Sequence, residues 1–124
     1  MKARLFVFIL LILVGIFSCK KDKGTVPNGP KLTSCDTTTI TTYTNYVASI
    51  LATNCNLSGC HDNGSGNGDF TTYAGIMLKV NSGAFKTRVL DLKDMPASYS
   101  SGPTVLDDCT LFRLKRWIEA GSPQ

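Results

Sequence analysis

The chain holds one histidine, His61, which excludes any site that needs two imidazoles. Its apolar inventory is thin where a fold would need it. Fifteen of the first 19 residues are apolar, yet the 106 residues after Ser18 hold only 39. That is below the roughly 45–50% of an ordinary globular domain. A small chain so poor in core material calls for a staple or a cofactor. Charge of one sign is modest: the formal +4 falls to about +2 once Lys2 and Arg4 are set aside. No long basic stripe with interleaved aromatics is present, so no nucleic-acid partner is expected. No segment alternates as a half-buried strand does, and no internal repeat occurs. The length leaves room for one domain, which excludes a multidomain enzyme, an α/β barrel and a full doubly wound sheet.

The longest apolar run is also too short to cross a bilayer. Leu5 to Phe17 covers 13 residues, against about 20 for a transmembrane helix. With Lys2 and Arg4 before it, this run has the form of a signal segment, residues 1–18. It resembles a bacterial lipoprotein signal: Ile16, Phe17 and Ser18 precede Cys19, and the polar Lys20-Lys21-Asp22-Lys23 follows. Phe17 stands where a small residue is commoner. The resemblance implies that Cys19 is lipidated and anchors the chain to a membrane of the cell envelope, the outer membrane in particular, with the domain facing the periplasm or the cell surface. An ordinary secretory signal with a free Cys19 is the alternative.

Residues 19–34 carry two prolines, two glycines and several lysines, the composition of a flexible tether. The Lys-rich start suits an anionic membrane surface or plain solvent. The folded part is expected from Cys35 to Gln124. Seven of the twelve residues from Thr33 to Thr44 are threonine, a polar and weakly helical start. Tyr43, Tyr46, Val47, Ile50 and Leu51 share one helical face, which predicts a helix over about residues 41–53. Residues 62–69 (DNGSGNGD) read as a loop. Tyr73, Ile76, Met77 and Val80 predict a second, short helix that Asn81-Ser82-Gly83 ends, and a further turn is expected around Phe85–Leu90. Residues 94–103 are irregular, with Pro96, Gly102 and Pro103. The last helix is capped by Asp107, with Leu106 and Leu111 placed as a staple; Leu111, Leu114, Trp117 and Ile118 face inward and Gly121 stops it. The expected fold class is all-α.

The lone histidine directly follows a cysteine, in Cys55-Asn56-Leu57-Ser58-Gly59-Cys60-His61. In an exported protein two thiols can add to the two vinyl groups of haem, and an imidazole beside the second thiol then serves as the proximal iron ligand. The chain resembles the small mono-haem c-type cytochromes that are attached to membranes as lipoproteins. The resemblance covers residues 43–121: a helix ending in Asn54-Cys55, the Cys-Cys-His element, a Met-Pro loop (Asp94-Met95-Pro96) and a terminal Leu-x-x-Trp-Ile-x-x-Gly helix (Leu114 to Gly121). It departs in spacing, with four residues between the cysteines where two are usual. Those four must bulge outward, and Ser58 and Gly59 suit such a loop.

The resemblance implies a cytochrome c-like helical domain around one haem, a carrier of single electrons that works as a monomer with redox protein partners in the envelope. Cys55 and Cys60 would bind haem covalently. His61 and Met95 would ligate its iron, since no second histidine remains and Met77 belongs to the apolar face of a helix. A cavity between His61 and Met95 is expected. With two cysteines on haem, Cys35 and Cys109 are left, and an oxidising compartment invites them to pair, as a staple worth up to roughly 4 kcal/mol; two independent thiols are the alternative. Other readings of the motif stay open. Cys55 and Cys60 could form a disulfide, and a zinc site could draw on Cys35 or Cys109 as a further ligand. The domain could also be a haem-free, disulfide-stapled binding lipoprotein. A peroxidase-like enzyme would need an open iron position.

Cys19→Ala is expected to release the protein from membranes or leave the precursor uncleaved. Membrane fractionation with a precursor-size check reads this, and unchanged processing and retention would refute the anchor.

Overall fold

The computed structural model describes residues 34–124. The signal segment, Cys19 and the tether up to residue 33 lie outside the described residues. Helices and turns account for the ordered backbone, with no strand among the described residues.

A π-helical segment, Tyr43–Val47, runs directly into helix α1, Ala48–Asn54. Helix α2 is Tyr73–Asn81, a second π-helical segment is Lys86–Asp91, and helix α3 is Asp108–Glu119. None of the described helices is long and apolar enough to cross a membrane.

Each start has a local cause. The Thr-rich entry is ordered by Asp36, whose Oδ1 accepts from the backbone N–H groups of Thr38 and Thr39. Thr42 then forms a capping box with Asn45: its hydroxyl accepts from Asn45 N–H, and Asn45 Oδ1 accepts from Thr42 N–H at 2.8 Å. The first turn is wider than the α-helix that periodicity predicts, because Val47 N–H reaches back to Thr42 carbonyl, five residues away. Thr72 caps α2 through Gly75 N–H. Asp107 caps α3 through Thr110 N–H at 2.9 Å. At its end Gly121, at φ 84°, lets Gly121 N–H reach Ile118 carbonyl and Ser122 N–H reach Trp117 carbonyl. This pair is a Schellman closure.

The core is Val47, Leu51, Phe70, Ile76, Phe85, Val89, Leu106, Leu114 and Trp117. Met77 packs against it half-buried. Three fastenings hold this small core. Cys35 and Cys109 form a disulfide with Cα atoms 5.4 Å apart, tying the domain's start to the first turn of α3 across 74 residues. Arg113 lies over the Tyr46 ring at 3.6 Å and donates to Thr41 Oγ1, joining α3 to the entry of α1. The C-terminal turn is the third: Tyr43 N–H and Trp117 Nε1–H both donate to Pro123 carbonyl at 2.9 Å, and Tyr73 hydroxyl donates to Ser122 carbonyl at 2.7 Å. Three elements thus converge on two carbonyls.

Gly75 tests how α2 is seated. Helix propensity alone would reward alanine there by roughly 1 kcal/mol. A Cβ on Gly75, however, would fall 1.8 Å from the backbone carbonyl oxygen of Asp69, which cannot turn aside as a side chain can. Gly75→Ala is expected to lower stability by about 2–3 kcal/mol, read as a shift in the urea midpoint; a stabilised variant would contradict this seating.

Candidate haem site

Residues 55–70 form a loop pinned by its own hydrogen bonds. Asn56 N–H continues from α1 to Leu51 carbonyl, and Cys60 N–H closes a turn on Leu57 carbonyl at 2.8 Å, with Gly59 at φ 77°. Ser58 and Gly59 are exposed, so the four-residue spacer bulges outward while the two cysteines stay inward. His61 N–H reaches Cys55 carbonyl, Phe70 N–H reaches His61 carbonyl at 2.9 Å, and Asn56 Nδ2 donates to Phe70 carbonyl. Cys60 carbonyl is held by the Ser65 hydroxyl and by Asn67 Nδ2.

This closure stacks the Phe70 ring on the His61 imidazole, with centroids 3.9 Å apart and planes 2° from parallel. His61 Nδ1 lies 3.3 Å from Gly68 carbonyl. A carbonyl only accepts, so Nδ1 carries the proton and Nε2 keeps its lone pair, the state a metal-binding imidazole needs. Burial is the main cause that pushes the His61 pKa down, and nearby Lys79 acts the same way.

Cys55, Cys60, His61 and Met95 all line one cavity of about 350 Å3, within the usual range for ligand sites of roughly 300–1,000 Å3. Phe70, Phe85, Val89 and Pro96 supply its apolar walls. Cys55 and Cys60 are free thiols. Cys55 is mostly buried, and desolvation, with Cys60 adding to it, pushes its pKa up to about 12. Met95 reaches the cavity from the irregular segment, where Arg88 carbonyl accepts from both Asp94 N–H and Met95 N–H. Met77 does not line it.

This donor set fits haem: two unpaired thiols, one imidazole with a fixed tautomer and one thioether, around a largely apolar space. It fits zinc less well. Cys35 and Cys109 are consumed by their disulfide, and no group of three His, Cys, Asp or Glu side chains is placed to hold a metal ion among the described residues.

Among the aromatics, Phe70 and Phe85 reach the cavity, whereas Tyr43 and Tyr73 pack edge to face on each other at 5.3 Å. Sequence reading gave no site role to Lys79, Arg88 and Tyr99, which also line the cavity. None of the three carries a local signal, since a lysine on a helix, an arginine near an aspartate and a tyrosine in an irregular stretch mark no site by themselves.

The lowered His61 pKa fixes a pH dependence. The unfolded chain takes up a proton near 6.5, and the folded chain does so only at lower pH. Stability of the haem-free protein should therefore fall as pH drops through 6.5, and this loss should level off below the folded pKa. His61→Gln should remove that component. Urea midpoints measured across this range in both proteins check it.

Comparison with protein-family models, with curated proteins and with solved structures finds no match to this chain.

Proposed function

We propose that this protein is a membrane-anchored mono-haem c-type cytochrome that transfers single electrons in the bacterial cell envelope. One observation carries the reading: the two free thiols, the only imidazole and one thioether share a single cavity. Cys55 and Cys60 would hold the haem, and His61 and Met95 would ligate its iron. When bound, the haem supplies a one-electron iron couple.

The remaining work belongs to the chain. Gly68 carbonyl holds the proton on His61 Nδ1, and the Phe70 stack restrains the ring. Phe85, Val89 and Pro96 give the cavity apolar walls, which would disfavour the more highly charged oxidised state of a bound haem. Met95 would offer the iron a soft thioether ligand, which would raise its potential and disfavour peroxide chemistry, the behaviour of an electron carrier. The helical architecture, without strands among the described residues, is compatible with a cytochrome c-like domain. Lipid on Cys19 and the tether over residues 19–34 would hold this domain near its redox protein partners, at the outer membrane by preference.

The runner-up, a haem-free binding lipoprotein, draws on the Cys35–Cys109 bridge, which fastens the domain without a cofactor. A haem stain after denaturing electrophoresis decides between them. Co-expression with haem-attachment machinery should give a stained band of one added haem mass. A correctly exported, unstained protein would favour the runner-up.

In the stained protein, Met95→Ala should lower the midpoint potential by on the order of 0.1 V, well inside the ~0.8 V that axial ligation spans. It should also let added imidazole bind the iron. Met77→Ala should leave the spectrum alone and cost about 2 kcal/mol. The reverse pattern would reassign the ligand.

A further inference from the structure

The charge on the cavity wall is one-sided. Lys79 and Arg88 line it, and none of its lining residues is an aspartate or glutamate. The ion pairs among the described residues are Lys86–Asp91, Arg88–Asp94 and Lys115–Glu119, which leaves the Lys79 ammonium without a carboxylate. Lys79 is half-buried near the end of α2. Its stem lies over Gly68, where a Cβ would come 3.0 Å from Lys79 Cε. Gly68 carbonyl is the group that holds His61 Nδ1.

Arg88 lines the same cavity from the second π-helical segment. Its Nε donates to both carboxylate oxygens of Asp94, at 2.7 and 2.8 Å. That contact fixes the guanidinium and leaves its two Nη groups unused among the described residues. Its own carbonyl holds Met95 N–H. One cation thus accompanies each candidate iron ligand, and each comes from a different element.

An apolar cavity that holds two cations and no anion selects a ligand with an apolar body and negative ends. Haem has this form, with two propionate carboxylates on one edge of a flat apolar ring. We infer that Lys79 and Arg88 are the carboxylate-holding residues of the cavity, pairing with the haem propionates. This inference rests on the haem reading and deepens it: the thiols fix the ring covalently, and the two cations fix which way its polar edge lies.

The test uses the full haem-free chain and two probes in the same detergent micelles, iron protoporphyrin and its dimethyl ester. The ester keeps ring and iron but carries no negative charge. Absorbance titration should show the wild type binding the dicarboxylate about tenfold more tightly than the ester. The Lys79→Gln/Arg88→Gln double variant should lose most of that preference, while Lys79→Arg keeps it. A wild type with no preference overturns the inference and leaves the haem reading intact; this comparison needs no variant to fold. A double variant that keeps the full preference overturns it as well. If neither porphyrin binds and the co-expressed protein carries no covalent haem, both readings fall together.

Discussion

The return of Phe70 onto His61 is the constraint from which the site follows. A single imidazole on a glycine-rich loop would otherwise sweep through solvent. Two successive backbone bonds, from His61 N–H to Cys55 carbonyl and from Phe70 N–H to His61 carbonyl, close that loop, and the flat stack converts the closure into an orientation of the ring. Phe70 then meets Phe85 edge to face at 6.4 Å, and Phe85 meets Trp117 likewise at 6.5 Å. Imidazole, cavity wall and the last turn of α3 are therefore one continuous aromatic file. A loop movement at His61 would have to disturb the core.

That file explains why a chain with so little apolar material is fastened from outside. Phe70, Phe85 and Val89 belong to the core and line the cavity at once. Three of the nine core residues thus double as cavity wall. The disulfide, the Arg113–Tyr46 contact and the C-terminal carbonyls supply the closure that a fuller core would otherwise provide. A bound occupant touching the same walls would add stability by mass action. Binding at this cavity would be coupled to folding through those shared residues.

How much of this the sequence discloses depends on range. The helical elements follow from periodicity over four to eight residues, and their ends from Asp107 and Gly121, whose effects are local. The bridge between Cys35 and Cys109 follows from counting, given where the other cysteines go. The distinction between Met77 and Met95 also rests on local evidence: one lies within an apolar helical stripe, the other before Pro96 in an irregular stretch. The π-helical turns are not legible, because a bond to the fifth residue back leaves nearly the same apolar pattern as one to the fourth. Nor is the convergence of Tyr43, Tyr73 and Trp117 on Ser122 and Pro123. Those partners include carbonyls up to 80 residues away in the chain, and every residue has a carbonyl. Lys79 and Arg88 escape notice for a similar reason. A lysine on a helix and an arginine near an aspartate usually mark a solvated face, and only the fold turns them toward a common space.

The spacing of the two cysteines shows how local geometry and site chemistry are reconciled. Four residues separate the two thiols, and an extended path would drive them apart. The turn from Leu57 to Cys60 absorbs that length instead. It requires a positive φ at the third residue, which Gly59 supplies at little cost. A Cβ at Gly59 would touch nothing within 4 Å, so its role is conformational freedom rather than close packing. Leu57 stays half-buried under the turn, facing Gly102, where a Cβ would approach Leu57 Cδ1 to 2.8 Å. The longer spacer is therefore an anchored outward turn: its tip is free, its base is packed, and both thiols are delivered to the same cavity as the imidazole that follows them.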